Sequence, residues 1–305
     1  MKNIFPIVSV FYTLLGVMIG LHAFYGREKN RRSALVSAIL LIVCGMVLIY
    51  FKEYWLAIAL IIPIFIPIIL ALIFVGKIIC KMVPFSMLGK RKARNEILRK
   101  AFHGIVFLLF LPHYVLKPLC YTGVSYLNNF LPKPLELHEV NFLKEVLILI
   151  AGGLIPVFLL IEYLRIYGKK GVFPNNILRG TEEGSLAAYF YTGVSIFFIS
   201  LIFPQTIILA SITMSLLGDA AAAIVGTSYG KIRIYGDKTV EGCLAGFLVA
   251  SISGLFFISP ISALLTAVII EIVDVLNKWN INDNLLFPVT SATTIWYIEY
   301  ILLGA

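Results

Sequence analysis

The chain has 305 residues, 60% of them hydrophobic and only 13% charged, with a mean hydropathy of +0.96. These proportions exclude an ordinary water-soluble domain and point to a polytopic integral membrane protein. In such a protein the formal charge of +9 reads as a topology signal, and no nucleic-acid partner is expected.

Apolar runs of spanning length fall at about 4–25, 33–51, 54–76, 102–127, 142–165, 184–203, 205–226, 239–258, 260–276 and 285–304. The expected fold is all-α, with nine to ten transmembrane helices. The first run lacks a small-residue cleavage site and reads as a retained helix. Pro63 and Pro67 should kink the third. Cys44, Cys80, Cys120 and Cys243 show no CxxC or metal spacing and read as small buried hydrophobes.

Basic residues divide unevenly between alternate loops. Only Lys2, Lys52, Lys117, Lys133 and Lys144 fall on one side, and the other 20 of the 25 Lys and Arg fall on the opposite one. The positive-inside rule makes the basic side cytoplasmic. The stretch 76–101 is then a basic cytoplasmic segment able to lie along an anionic leaflet. Ionisable residues near spanning segments gather at that same face: Arg99, Lys100 and His103, Glu162 and Arg165, Asp219, Glu271 and Asp274, and Asp283. Glu162 and Arg165 stand at i and i+3, where they can pair.

The most informative stretch is Gly218 to Gly242, GDAAAAIVGTSYGKIRIYGDKTVEG. It sets Asp219 in an apolar helix, at a cost of roughly 2.5–3.5 kcal/mol unless the acid is partnered, and an intramembrane acid is a functional signal by default. Gly226 and Gly230 lie four apart, as residues that let helices pack closely or that let backbone N–H groups approach a phosphate. Lys238 is placed to add a point charge to the same anion. Asn282-Asp283-Asn284 precedes the last apolar run, as a helix N-cap or as a carboxylate donor.

This stretch resembles the CTP-binding pattern of the dolichol kinase family, DxxAxxxGxxxG followed by KTxEG, at Asp219, Ala222, Gly226, Gly230, Lys238, Thr239, Glu241 and Gly242. Arg99-Lys100-Ala101-Phe102-His103 is similar to the family's RKxxH element, Glu162 and Arg165 to its ExxR element, and Asp283, Asn284 and Pro288 to its DNxxxP element. Phytol kinases and CTP-dependent diacylglycerol kinases are relatives. The resemblance covers roughly 95–300. It implies three parts: N-terminal helices outside the family over 1–83, a basic cytoplasmic segment over 84–101, and a catalytic transmembrane domain over 102–305.

The resemblance also implies CTP-dependent phosphorylation of a lipid alcohol from the inner leaflet, releasing CDP, at the cytoplasmic ends of the helices. Mg2+ would sit on Asp219 with help from Asp283. The nucleotide would meet Arg99, Lys100, Gly218, Gly226, Tyr229, Gly230, Lys238, Thr239, Glu241, Gly242 and Asn284. Candidate bases are Asp283, Glu162 and His103. The membrane would be the cell membrane of a prokaryote or the endoplasmic reticulum of a eukaryote.

Two other functions use the same features. A lipid-phosphate cytidylyltransferase would consume CTP at its α-phosphate, and an ion-coupled transporter would use the acids as ion sites and the glycines as a helix break. There is no Walker sequence and no protein-kinase motif set, so a triphosphate must be held by helix ends and loops.

Overall fold

The computed structural model describes residues 5–25, 31–47, 125, 128–129, 142–167, 185–236, 238–277 and 281–304. Of these, 85% are helical. The helices are α1 (Phe5–Tyr25), α2 (Arg31–Val47), α3 (Phe142–Tyr167), α4 (Ala188–Ile202), α5 (Gln205–Tyr229), α6 (Val240–Gly254), α7 (Pro260–Leu276) and α8 (Asp283–Trp296), which continues as a π-helical turn Tyr297–Leu302. Eight of the ten apolar runs are thus helical; those at 54–76 and 102–127 lie outside the described residues, apart from the single position 125. Two helices, Gln205–Tyr229 and Asp283–Leu302, are long and apolar enough to cross a membrane.

One departure from an all-helical chain is a small antiparallel hairpin, β1 (Arg233–Tyr235) and β2 (Lys238–Thr239), with Arg233 opposite Thr239 and Tyr235 opposite Lys238. A second concerns grouping. The described helices form two compact units, with α1 to α4 in the first and α6 to α8 plus nearly all of α5 in the second.

In the first unit α1 and α2 run antiparallel at close range. A side chain on Gly16 would collide with the backbone of Ala38 and Ile42, and one on Gly45 with Ser9 and Thr13. Tyr12 ties α1 to the rest of the unit: its hydroxyl donates to the Gly152 carbonyl of α3 at 2.5 Å, and its ring lies 5.1 Å from that of Phe197 in α4.

The second unit is built on small residues. Along α5, Gly218, Ala222 and Gly226 meet Ala250, Gly246 and Gly242 of α6 in reverse order. A Cβ on Gly242 would stand 2.9 Å from the Ala222 carbonyl oxygen and 3.1 Å from Gly226 Cα. Gly246 and Gly254 of α6 likewise meet Glu271 and Ala263 of α7. Ser259 N–H donates to Glu299 Oε1 at 3.0 Å, and Asn277 Nδ2 to Asp283 Oδ1 at 3.1 Å, linking both ends of α7 to the last helical segment. Ser215 of α5 bonds Ser291 of α8, 3.0 Å apart. These pairs make α5, α6, α7 and α8 an up-down-up-down bundle.

Two helices of this unit expose large aliphatic side chains and bury small polar ones. On α6 the exposed residues are Val240, Leu244, Leu248 and Ile252, and on α7 Ile261, Leu264, Leu265, Val268, Ile272 and Leu276. Ser251, Ser253, Ser262, Thr266 and Asp274 are buried instead. Water favours the reverse arrangement, whereas helices surrounded by lipid need large apolar side chains outside and small residues at their contacts.

Candidate active site

The up-down-up-down order brings the end of α5, the hairpin, the start of α6, the end of α7 and the start of α8 to one end of the second unit. That end carries Asp219, Lys238, Glu241, Glu271, Asp274, Asp283 and Asn284. Depth follows from the helix contacts at about 1.5 Å per residue. Ala222, Gly246 and Glu271 share a level. Asp219 lies about one turn deeper, on the stripe of α5 that includes Ser211 and Ser215, both of which bond Ser291 of α8. Asp283 lies near the level of Ala222, about one turn above Asp219.

Each member of the KTxEG turn has an intramolecular contact. Lys238 Nζ pairs with both carboxylate oxygens of Asp274, the Oδ2 contact being 2.6 Å, with the lysine side chain 37% exposed and the aspartate 5%. Thr239 is the N-cap of α6, its hydroxyl accepting from Gly242 N–H at 3.2 Å. Glu241 accepts from Ile232 N–H through both oxygens, 3.3 Å each. Val240 N–H donates to the Ile232 carbonyl at 2.9 Å. The turn therefore builds the hairpin and fastens it to α7.

Gly218, Gly226, Gly230 and Gly242 are packing positions, because the volume a side chain would need is filled by neighbouring residues, Thr239 among them for Gly226 and Gly230. The exposed part of the pattern is Tyr229, at 72%, together with Gly230 and the hairpin residues after it.

At the start of α8 the cap is Asn282, whose Oδ1 accepts from Asn284 N–H at 3.1 Å. Asp283 is the first helical residue. Asn277 closes the connection, its amide donating to the Ile281 carbonyl at 2.6 Å and to Asp283 Oδ1, and its oxygen accepting from Ile281 N–H. Asn284 is buried and, seven residues before Ser291, shares its face toward α5.

Glu162 belongs to the first unit and is fully buried. Its Oε1 accepts from Arg165 Nε at 3.0 Å and from the Tyr189 hydroxyl; its Oε2 accepts from Arg165 Nη2 at 2.6 Å and from Ala187 N–H at 3.0 Å. Arg165 also donates to the Ser185 carbonyl. All four acceptor sites of the carboxylate are filled, leaving none for a substrate hydroxyl. In this arrangement Glu162 is a lock between α3 and the start of α4.

Arg99, Lys100 and His103 lie outside the described residues, as does the basic segment 84–101. Among the described residues no three His, Cys, Asp or Glu side chains gather as metal ligands. Mg2+ bound to phosphates asks for only one or two protein carboxylates, and the Asn277 bond engages Asp283 through Oδ1 only. Asp219 and Asp283 stand on two helices of the second unit.

Two features were not assigned a role from sequence. Asp274 is the partner of Lys238, and Cys243, read as inert, lies close enough to Glu271 to act on it. The acidic pair at i and i+3 in α7 was the available signal. Comparison with family models, with curated proteins and with solved structures finds no match.

Proposed function

We propose that this chain is a polytopic membrane enzyme that transfers the γ-phosphate of CTP to a lipid alcohol of the dolichol or polyprenol class, releasing CDP at the cytoplasmic face. The observation that carries the reading is the match of Gly218 to Gly242 to the DxxAxxxGxxxG and KTxEG pattern, with both halves meeting at the end of the bundle where the acids gather.

Phosphoryl transfer needs alignment and charge neutralisation more than covalent help from the protein. Mg2+ held by Asp219 and Asp283 would supply the neutralising charge on the phosphates. Lys238, half-exposed and oriented by Asp274, would offer its ammonium to a phosphate. Tyr229, Gly230 and the exposed hairpin offer the surface for the nucleotide, and Arg99 and Lys100 add positive charge. Spanning helices in the number read from the sequence, with basic loops inside, give CTP access from the cytoplasm. The alcohol enters from the inner leaflet.

Purified protein is supplied with lipid alcohols and CTP labelled at either the γ- or the α-phosphate. Label passing from the γ-position into lipid is the expected result. Transfer from the α-position would indicate a lipid-phosphate cytidylyltransferase, and no transfer from either would leave ion-coupled transport. Asp219→Asn should abolish γ-transfer in protein that is still folded and inserted; full activity there overturns the metal role.

A further inference from the structure

We infer that Glu271 is the catalytic base of this transfer, the group that takes the proton from the lipid hydroxyl; the inference rests on the function proposed above.

The acids of the second unit differ in what occupies them. Asp274 is held by Lys238, Asp283 by Asn277, Glu241 by the Ile232 amide and Glu299 by the Ser259 amide, and Asp219 is engaged as well. Glu271 is the one acid among the described residues with a buried oxygen, Oε2, that has no hydrogen-bond partner. An orphaned buried acceptor is destabilising, and more so when charged. Such a group in a native fold asks for an explanation, of which a catalytic role is one.

The surroundings keep the carboxyl in place. Its Oε1 fills the space that a side chain on Gly246 would occupy, so glycine at 246 is what lets the acid lie in the seam of α5, α6 and α7. Cys243 of α6, Lys238 of β2 and Asp274 of α7 stand near enough to act on it, and Asp219 of α5 lies about one turn deeper. Glu271 is only partly buried as a residue, while its Oε2 is shielded. The missing partner of Oε2 is a donor, and an alcohol hydroxyl is one.

In the step assigned to it, the lipid oxygen forms a bond to the γ-phosphorus as the bond from that phosphorus to the β-phosphate oxygen breaks. CDP leaves with the electron pair, the hydroxyl proton passes to Glu271, and the proton is later released to water.

Glu271→Gln keeps the size of the side chain and removes its basicity. In reconstituted protein with CTP and a polyprenol, this variant should lower kcat by about 100- to 10,000-fold with CTP affinity unchanged, and Glu271→Asp should retain more activity than the glutamine variant. An active wild type with an equally active Glu271→Gln overturns the assignment while leaving the kinase function standing. A wild type that transfers no γ-phosphate overturns the function itself, and the base with it. Should Glu271→Gln lose CTP binding, the decision passes to the wild type treated with dicyclohexylcarbodiimide. An adduct on Glu271 whose formation the polyprenol slows supports the role; no adduct, or one indifferent to the polyprenol, overturns it.

Discussion

Glu162 and Glu271 illustrate how two carboxylates in apolar helices come to different uses. Glu162 has a guanidinium, a phenol and a backbone amide as donors; Glu271 has a buried oxygen without one. Breaking a buried pair leaves an uncompensated charge at a cost of about 3–5 kcal/mol. Glu162→Gln should therefore lower stability on that scale, measured by unfolding in detergent, while the protein that stays folded keeps its turnover. A normal unfolding curve with lost turnover would return Glu162 to the chemistry. Lys238→Ala should raise the concentration of CTP needed for half-maximal rate, and an unchanged titration would count against contact between this lysine and phosphate. Spacing in the sequence made the Glu162–Arg165 pair legible, since i and i+3 share a helix face. It did not make Tyr189 or Ala187 legible as partners, because those arrive from another helix.

Among the elements, the helices follow from apolar run length, and their ends from local chemistry: Thr239, Ser259 and Asn282 each cap the helix that follows. The hairpin was not legible, being read as a charged turn. Strands of three and two residues carry little propensity signal; here they are held by Glu241 on the Ile232 amide and by Lys238 on Asp274, both contacts beyond local pattern. The glycines of α5 and α6 were legible as small residues, but not in function, since close packing and anion binding select the same residue. Gly242→Ala tests the packing role. Its methyl group would press on the Ala222 carbonyl and Gly226, and forcing the helices apart should cost about 1–3 kcal/mol. Unaltered thermal stability in detergent would refute the tight seam.

For the whole molecule, the outward large aliphatics and inward serines and threonines agree with the membrane character read from composition. Orientation is open to a direct measurement. A cysteine introduced at the exposed Ser228, in a variant without the four native cysteines, should react with a membrane-impermeant maleimide from the cytoplasmic face only; reaction from the opposite face would reverse the topology. Composition and run length alone determined the helical class and the positions of eight helices, because a long apolar run satisfies its backbone within its own helix whatever its neighbours. Which acid is locked, which is paired and which is left with an open oxygen was decided only by the tertiary structure. Hydrogen-bond satisfaction is a property of groups brought together from distant helices, and no spacing within a single segment encodes it.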